Sequence, residues 1–265
     1  MQYVPTRAGD VAVEMQGAGA PLVLLHAVAH DHRDYDAVVP TLARTFRTIA
    51  VDWPGHGRSA MWAPPSSASA ASVFDVLEDV VDALELPPAF FMGSSVGGAA
   101  SVRLAARRPE RVRGLVLVDT GGLVGRALLP RAFCWVQGRE VVRRWTGMAF
   151  ARSYLTVKSP GASSLLGRIA EGRKRPGFVE MDAAMWRSFG DAGSDLSELA
   201  PRVRCATMVV WGRRDPVLRP KVEGARVRRL LPHAEYLELD TGHVPFVERP
   251  EAFLAGVLPF LQQMA

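Results

Sequence analysis

Apolar and polar positions along this chain fall into a rhythm of short apolar runs separated by longer amphipathic stretches. Two alternating runs, Gln2 to Thr6 and Val11 to Met15, flank Ala8-Gly9-Asp10 and predict a β-hairpin. Pro21 to His26 is apolar without alternation, the pattern of a strand covered on both faces. Phe46 to Val51, Ala89 to Met92, Val112 to Val118, Ala206 to Trp211 and Ala234 to Leu239 continue the strand series. Between them the spacing predicts helices over about Asp34 to Thr45, bent near Pro40, and over Ser72 to Leu86, with Val73, Val76, Leu77, Val80, Val81 and Leu84 on one face. Further helices follow from Val96 to Arg108, around Lys221 to Leu231, and from Pro250 to Gln262.

Strand and helix in alternation imply an α/β architecture with a mostly parallel sheet. The rhythm lapses from Leu123 to about Ala200, a stretch of helical character punctuated by Gly, Pro and Ser, which reads as an insertion. The expected division is therefore a core of residues 1–122 and 201–265 and a helical insertion of residues 123–200. The insertion also explains the charge. Its 12 Lys/Arg against 7 Asp/Glu account for the whole net charge of +5, since the rest of the chain carries 20 of each. No basic, aromatic-interleaved strand face accompanies that excess, which argues against nucleic acid. Two cysteines, Cys134 and Cys205, exclude a disulfide framework or a thiolate metal site. No apolar run approaches 18 residues and the N-terminus lacks an apolar signal core, so the expectation is a cytoplasmic protein with no membrane partner.

Chemistry concentrates where strands end. Gly93-Ser94-Ser95-Val96-Gly97 turns a strand abruptly into a helix, the G-x-S-x-G pattern that lifts a serine to the apex of a strained turn. The helix starting at Val96 has free N–H groups directed at whatever Ser95 attacks. The pentapeptide alone is as common in ordinary turns; the strand before it and the amphipathic segment after it give it weight. Asp52-Trp53-Pro54-Gly55-His56-Gly57-Arg58-Ser59 forms a tight loop at another strand's carboxyl end, where ligands bind in open α/β sheets. Asp215 follows the strand ending at Trp211, and His243 follows the last strand, so a hydroxyl, a carboxylate and an imidazole can converge at one edge.

With these four motifs in this order, Gly93 to Gly98, Asp52 to Ser59, Trp211 to Asp215 and Gly242 to Pro250, the chain resembles the α/β-hydrolase superfamily of lid-bearing hydrolases. The resemblance covers nearly everything outside the insertion. It implies an α/β-hydrolase fold, a mostly parallel eight-stranded sheet flanked by helices with a helical lid. It also implies Ser95 as nucleophile, His243 as base and then acid, and Asp215 as the group orienting the imidazole. Backbone N–H groups of Val96 and Val28 would form the oxyanion hole. Members usually carry His-Gly where this chain has His26-Ala27, so the choice between the Ala27 and Val28 amides stays open. Ala27, Trp53, Ser94, Trp135, Trp186 and Val244 are candidate substrate contacts, with Phe246 a further aromatic candidate; core packing is the rival account for at least half of the aromatic ones.

The other histidines have blander readings. His26 and His56 shape loops, and His233 lies on the surface before a strand. His30 and His32, near Asp31 and Asp34, lack a third ligand of metal-site spacing, so no metal and no cofactor are expected. Asp119 also ends a strand and competes with Asp215 as the carboxylate. The arginines of the insertion either attract a carboxylate-bearing substrate or, more commonly, dress a solvated helix face. The expected activity is hydrolysis of a carboxylic ester or lactone of a small apolar or aromatic molecule through an acyl-enzyme. Serine at the elbow argues against dehalogenase and epoxide hydrolase chemistry, which needs a carboxylate nucleophile. A carbon–carbon bond hydrolase of aromatic degradation ranks second, because Ala27-Val28-Ala29 and Ser94 depart from its Gly-rich loop and Asn. Perhydrolysis on the same scaffold, and a non-turnover ligand receptor, are the remaining alternatives. Oligomeric state has no signature here.

Overall fold

The computed structural model describes residues 1–123 and 128–264; the start of the expected insertion, residues 124–127, lies outside them. Eight strands form one sheet: β1 (Gln2–Thr6), β2 (Gly9–Gln16), β3 (Ala20–Leu25), β4 (Phe46–Val51), β5 (Ala89–Ser94), β6 (Val112–Val118), β7 (Ala206–Gly212) and β8 (Glu235–Leu239). Their spatial order is β1-β2-β4-β3-β5-β6-β7-β8. The hairpin β1–β2 and the β2–β4 pair are antiparallel, and every other pairing is parallel.

The helices are α1 (Val39–Leu42), α2 (Ala70–Ala83), α3 (Val96–Arg107), α4 (Leu128–Gln137), α5 (Glu140–Tyr154), α6 (Pro160–Gly172), α7 (Phe178–Ser188), α8 (Ala225–Leu230), α9 (Pro245–Glu248) and α10 (Pro250–Gln262). Strand periodicity sorts the core into two layers. Phe91, Leu115 and Leu117 pack on one side with Val73, Leu77 and Val80 of α2 and Val102 of α3. Phe90, Met92 and Val116 pack on the other with Phe253, Val257 and Leu261 of α10. Both faces of the parallel strands are covered, as their unbroken apolar runs require.

Two expected elements differ, and one short helix is added. The helix over Asp34 to Thr45 is instead a 3₁₀ turn, His32–Tyr35, and the single turn α1. Asp31 accepts from the Arg33 N–H and starts that turn, while Pro40, in the first turn of α1, begins a helix rather than bending one. The helix around Lys221 opens with a wide π-type turn, Pro220–Gly224, before α8. The short α9 was not expected; Pro245 at its first turn starts it directly after His243. Among the described residues four α-helices, α4 to α7, lie between β6 and β7, the stretch where a helical insertion is expected.

Candidate active site

Ser95 follows β5 with φ 52° and ψ −112°, a left-handed conformation that a side chain tolerates only under constraint. The constraint is visible: its N–H donates to the Val118 carbonyl at 3.0 Å, and its carbonyl accepts from Gly121 N–H at 3.0 Å and Ala99 N–H at 3.1 Å. A Cβ on Gly93 would run into the Gly97 carbonyl, and one on Gly97 into the Leu25 carbonyl, so the sharp crossing of strand and helix admits only glycine at both.

The loops after β7 and β8 bring up the carboxylate and the imidazole. Asp215 accepts at Oδ1 from the N–H groups of Val217 (2.7 Å) and Leu218 (3.1 Å), leaving Oδ2 for His243 Nδ1 at 2.7 Å. With Nδ1 facing a carboxylate, the ring proton sits there and Nε2 keeps its lone pair. Asp119 stands close by, its carboxylate, that of Asp215 and the His243 ring each having an atom within 4.8 Å of the others. Its Oδ1 accepts from Gly212 N–H at 2.9 Å, and it makes no hydrogen bond to the imidazole. Complete burial, then the charge of Asp215, push the Asp119 carboxyl well above the usual carboxylate range, which favours its protonated form.

The His243 loop is tied to helix α5 as well as to the core. His243 N–H donates to the Tyr154 carbonyl at 3.0 Å. The buried Glu248 carboxylate accepts from Gly242 N–H (2.9 Å) on one side and from the N–H groups of Thr156 (3.0 Å) and Val157 (2.6 Å) on the other. Glu248 falls within the Gly242 to Pro250 motif, and only the fold reveals its task.

The loop after β3 is stitched by two neutral histidines. His26 Nε2 accepts from Trp53 N–H at 3.0 Å and its Nδ1–H donates to the Ala27 carbonyl at 2.7 Å. His56 Nε2 accepts from Ala29 N–H at 3.0 Å and its Nδ1–H donates to the Pro54 carbonyl at 3.0 Å. Burial pulls His26 below the ordinary histidine range and His56 down to about 3, so both stay uncharged. The Ala27 carbonyl also accepts from His30 N–H. In a trans peptide the Val28 N–H points opposite to that carbonyl, away from His26 and His30. Among the described residues none of the Ala27, Val28 and Val96 N–H groups has an acceptor, and all three residues border the same cavity as Ser95 and His243.

That cavity, about 560 Å³, lies between the strand ends and helices α4, α5 and α7. Its walls are aromatic. Trp186 meets Phe150 (ring centroids 5.0 Å), Phe133 (5.8 Å) and Phe189 (5.6 Å) edge to face, and Phe74 of α2 adds to the wall. Tyr154 lies edge-on to His243 at 5.7 Å and hydrogen bonds His30 Nε2 at 2.7 Å. His30 is backed by Asp34, which also pairs with Arg168 of α6. His32 spends both ring nitrogens on Asp52 (2.9 Å) and Glu14 (3.2 Å). These two histidines thus hold loops and helices together.

Of the expected contacts, Ala27, Val28, Ser95, Val96, Trp186 and His243 line the cavity. Four do not. Trp53 is fully buried in the core with its indole N–H on the His26 carbonyl, and Val244 is a buried core residue at the start of α9. Ser94 ends β5 inside the sheet, fully buried. Trp135 is on the outer side of α4, under the guanidinium of Arg139. Phe246 likewise stacks on Tyr35 in the core, at 4.5 Å. Conversely Phe74, Phe150, Tyr154 and Phe189 were missed; nothing in their spacing marks them, because they meet only in the folded chain.

The sequence profile of the alpha/beta hydrolase family matches residues 22–256. The chain is 29% identical over 285 residues to the 2-hydroxy-6-oxononadienedioate/2-hydroxy-6-oxononatrienedioate hydrolase of Cupriavidus pinatubonensis, covering 98% of this chain and 94% of that protein. It is 28% identical to the dihydrolipoyllysine-residue acetyltransferase component of the acetoin cleaving system of Pseudomonas putida, covering 92% of this chain but 64% of that longer protein. The enol-lactonase from Burkholderia xenovorans LB400 superposes with a TM-score of 0.79 at 25% identity, over 98% of this chain and all of that one (100%).

Proposed function

Because the chain belongs to the alpha/beta hydrolase family, we propose that it is a serine hydrolase that cleaves a carboxylic ester or lactone of a small apolar or aromatic molecule through an acyl-enzyme. The observation that carries this reading is the convergence on one aromatic cavity of Ser95, held at a strained elbow, and His243, braced at Nδ1 by Asp215. The likeness to an enol-lactonase supports a cyclic or open ester as the bond broken.

In this mechanism His243 Nε2 takes the Ser95 hydroxyl proton as Oγ bonds the substrate carbonyl carbon. The oxygen that becomes negative accepts from the Val28 and Val96 N–H groups, each such donor contributing about 10²–10³ in rate. Collapse breaks the bond to the leaving oxygen, which takes the proton back from His243. Water then repeats the sequence on the acyl group and frees Ser95. The Ser95 and His243 side chains are not hydrogen bonded to each other here; such bonds in substrate-free enzymes are often long and tighten on binding. Residues 123–200 act as the lid, supplying Phe133, Phe150, Trp186 and Phe189 as the apolar wall. A carbon–carbon bond hydrolase remains the second reading, favoured by the Cupriavidus relative.

The test is labelling with a fluorophosphonate probe together with turnover of p-nitrophenyl esters, lactones and vinylogous diketones. Labelling of the parent, lost in Ser95→Ala along with at least about 10⁴-fold of its rate, is expected. Labelling that survives Ser95→Ala, or none in the parent, overturns the proposal; turnover of diketones alone selects the second reading.

A further inference from the structure

Helices α4 and α5 face two environments. Their inner sides give Phe133, Cys134, Phe150 and Tyr154 to the cavity wall. On the outside of α4, Leu128, Ala132, Trp135 and Val136 recur at the i, i+4, i+7, i+8 spacing of a single helical face. This is the pattern of a buried stripe, yet the face is turned to solvent, with Leu128 79% and Trp135 56% exposed. On α5, Val141 and Trp145 share the outward side, and Trp145 is 80% exposed. Exposed apolar side chains recurring in this way on a water-facing helix pair mark an interaction site.

The charges around it select the partner. Of the five arginines between residues 128 and 154, only Arg143 enters an ion pair among the described residues, with Asp182. Arg139, Arg144 and Arg152 are exposed, while Arg131 turns to the Gly190 carbonyl at the cavity, and Glu140 is the one acid in that segment. Arg139 lays its guanidinium 3.9 Å from the Trp135 ring centroid, so the cationic rim and the aromatic patch form one surface. A second copy meeting this face across a two-fold axis would set like charges against each other. No helix among the described residues is long and apolar enough to cross a membrane. A surface with Trp, Leu and Val at its centre and arginines at its edge instead matches the interfacial zone of an anionic bilayer, where the rings enter the headgroup boundary and the guanidinium groups meet phosphates.

We propose that the outer face of α4 and α5 docks this protein peripherally on anionic phospholipid membranes, with the cavity wall of the same two helices lying against the lipid. The earlier expectation of no membrane partner rested on the lack of a spanning segment, which a helix lying in the interface does not need. The proposal stands apart from the hydrolysis reading, and its test reads binding alone.

The full chain is mixed with sucrose-loaded vesicles of phosphatidylcholine, or of equal parts phosphatidylcholine and phosphatidylglycerol, and sedimented. Expected are pelleting with the mixed vesicles only, weakening as salt is raised, and a blue shift of tryptophan emission. Val136→Asp combined with Trp145→Asp should weaken binding about tenfold or more with an unchanged melting temperature. Arg144→Glu combined with Arg152→Glu, which leaves the apolar face intact, should by itself abolish the preference for phosphatidylglycerol. Wild-type protein that stays in the supernatant, that pellets equally with both vesicles regardless of salt, or that forms dimers through this face without binding vesicles, overturns the proposal.

Discussion

The loops at the strand ends and the helices α4, α5 and α7 build the same cavity by opposite means. In the loops the key polar atoms are fixed by hydrogen bonds between side chain and backbone: the Asp215 carboxylate by the Val217 and Leu218 N–H groups, the Ala29 amide by the His56 ring, the Ala27 carbonyl by the His26 ring. The helices contribute side chains drawn from distant positions, Phe133, Phe150, Trp186 and Phe189, that touch only because the helices pack. In the proposed reaction the loop scaffold would set where charge and protons go, and the aromatic side chains of the helical wall would set what fits.

The sharpest way to break this contrast is at the two carboxylates. Asp215→Asn should lower kcat by about 10⁴-fold with little change in melting temperature, because the ring would lose the partner that fixes its tautomer. Asp119→Asn should change kcat by less than about threefold, since a protonated Asp119 already resembles an amide and Asn keeps the acceptor for Gly212 N–H. Steady-state kinetics of both variants decide the matter; equal losses would make the pair one unit.

A smaller effect tests the loop scaffold through pH. His56 stays neutral in the fold, with its pKa near 3 against an ordinary value of 6.5, so between these the unfolded chain binds a proton that the folded chain refuses. Stability is therefore full above about pH 6.5 and falls as pH drops toward 3. His26, also lowered, adds in the same sense. His32 works the other way: burial disfavours its charge, but the Asp52 carboxylate outweighs this and raises it, so its contribution is present at low pH and fades as pH rises. Melting curves from pH 7 to 4 should show a steep decline in the parent and a shallower one in His56→Gln. Parallel curves would show that the loop does not depend on an uncharged ring.

The smallest expected effect lies in the helices. Trp186→Ala should raise KM for an aromatic acyl ester about tenfold while leaving an acetyl ester within about threefold, and kcat should hardly move. A large kcat loss on the small ester would mean that the wall also positions the reacting groups.

The same contrast explains what could be read from the chain. The apolar runs of β4 and β6 and the helix α10 were legible to the residue, because strands buried on both faces and a helix opened by proline leave local signatures. The elbow, the Asp215 turn and the His243 loop were legible for a related reason: tight turns demand particular residues at fixed spacing. The aromatic wall was not, since Phe74 and Phe189 belong to segments with no common period. Trp53 and Trp135 were misread as contacts because ring size says nothing about direction; one went into the core and the other outward. Val244 and Ser94 were drawn in by adjacency to His243 and Ser95, though neighbours on a strand or at a helix start point elsewhere.

The grip of Glu248 on Gly242, Thr156 and Val157 bears on how such proteins could be recombined. A chimera that swaps the segment between β6 and β7 at the strand boundaries would replace residues 154–157 and put at risk the N–H donors of the buried Glu248 carboxyl group beside the imidazole loop. Splicing just before Tyr154 and after Val157 instead would keep that junction native, so substrate preference could be transplanted in pieces around a retained clasp.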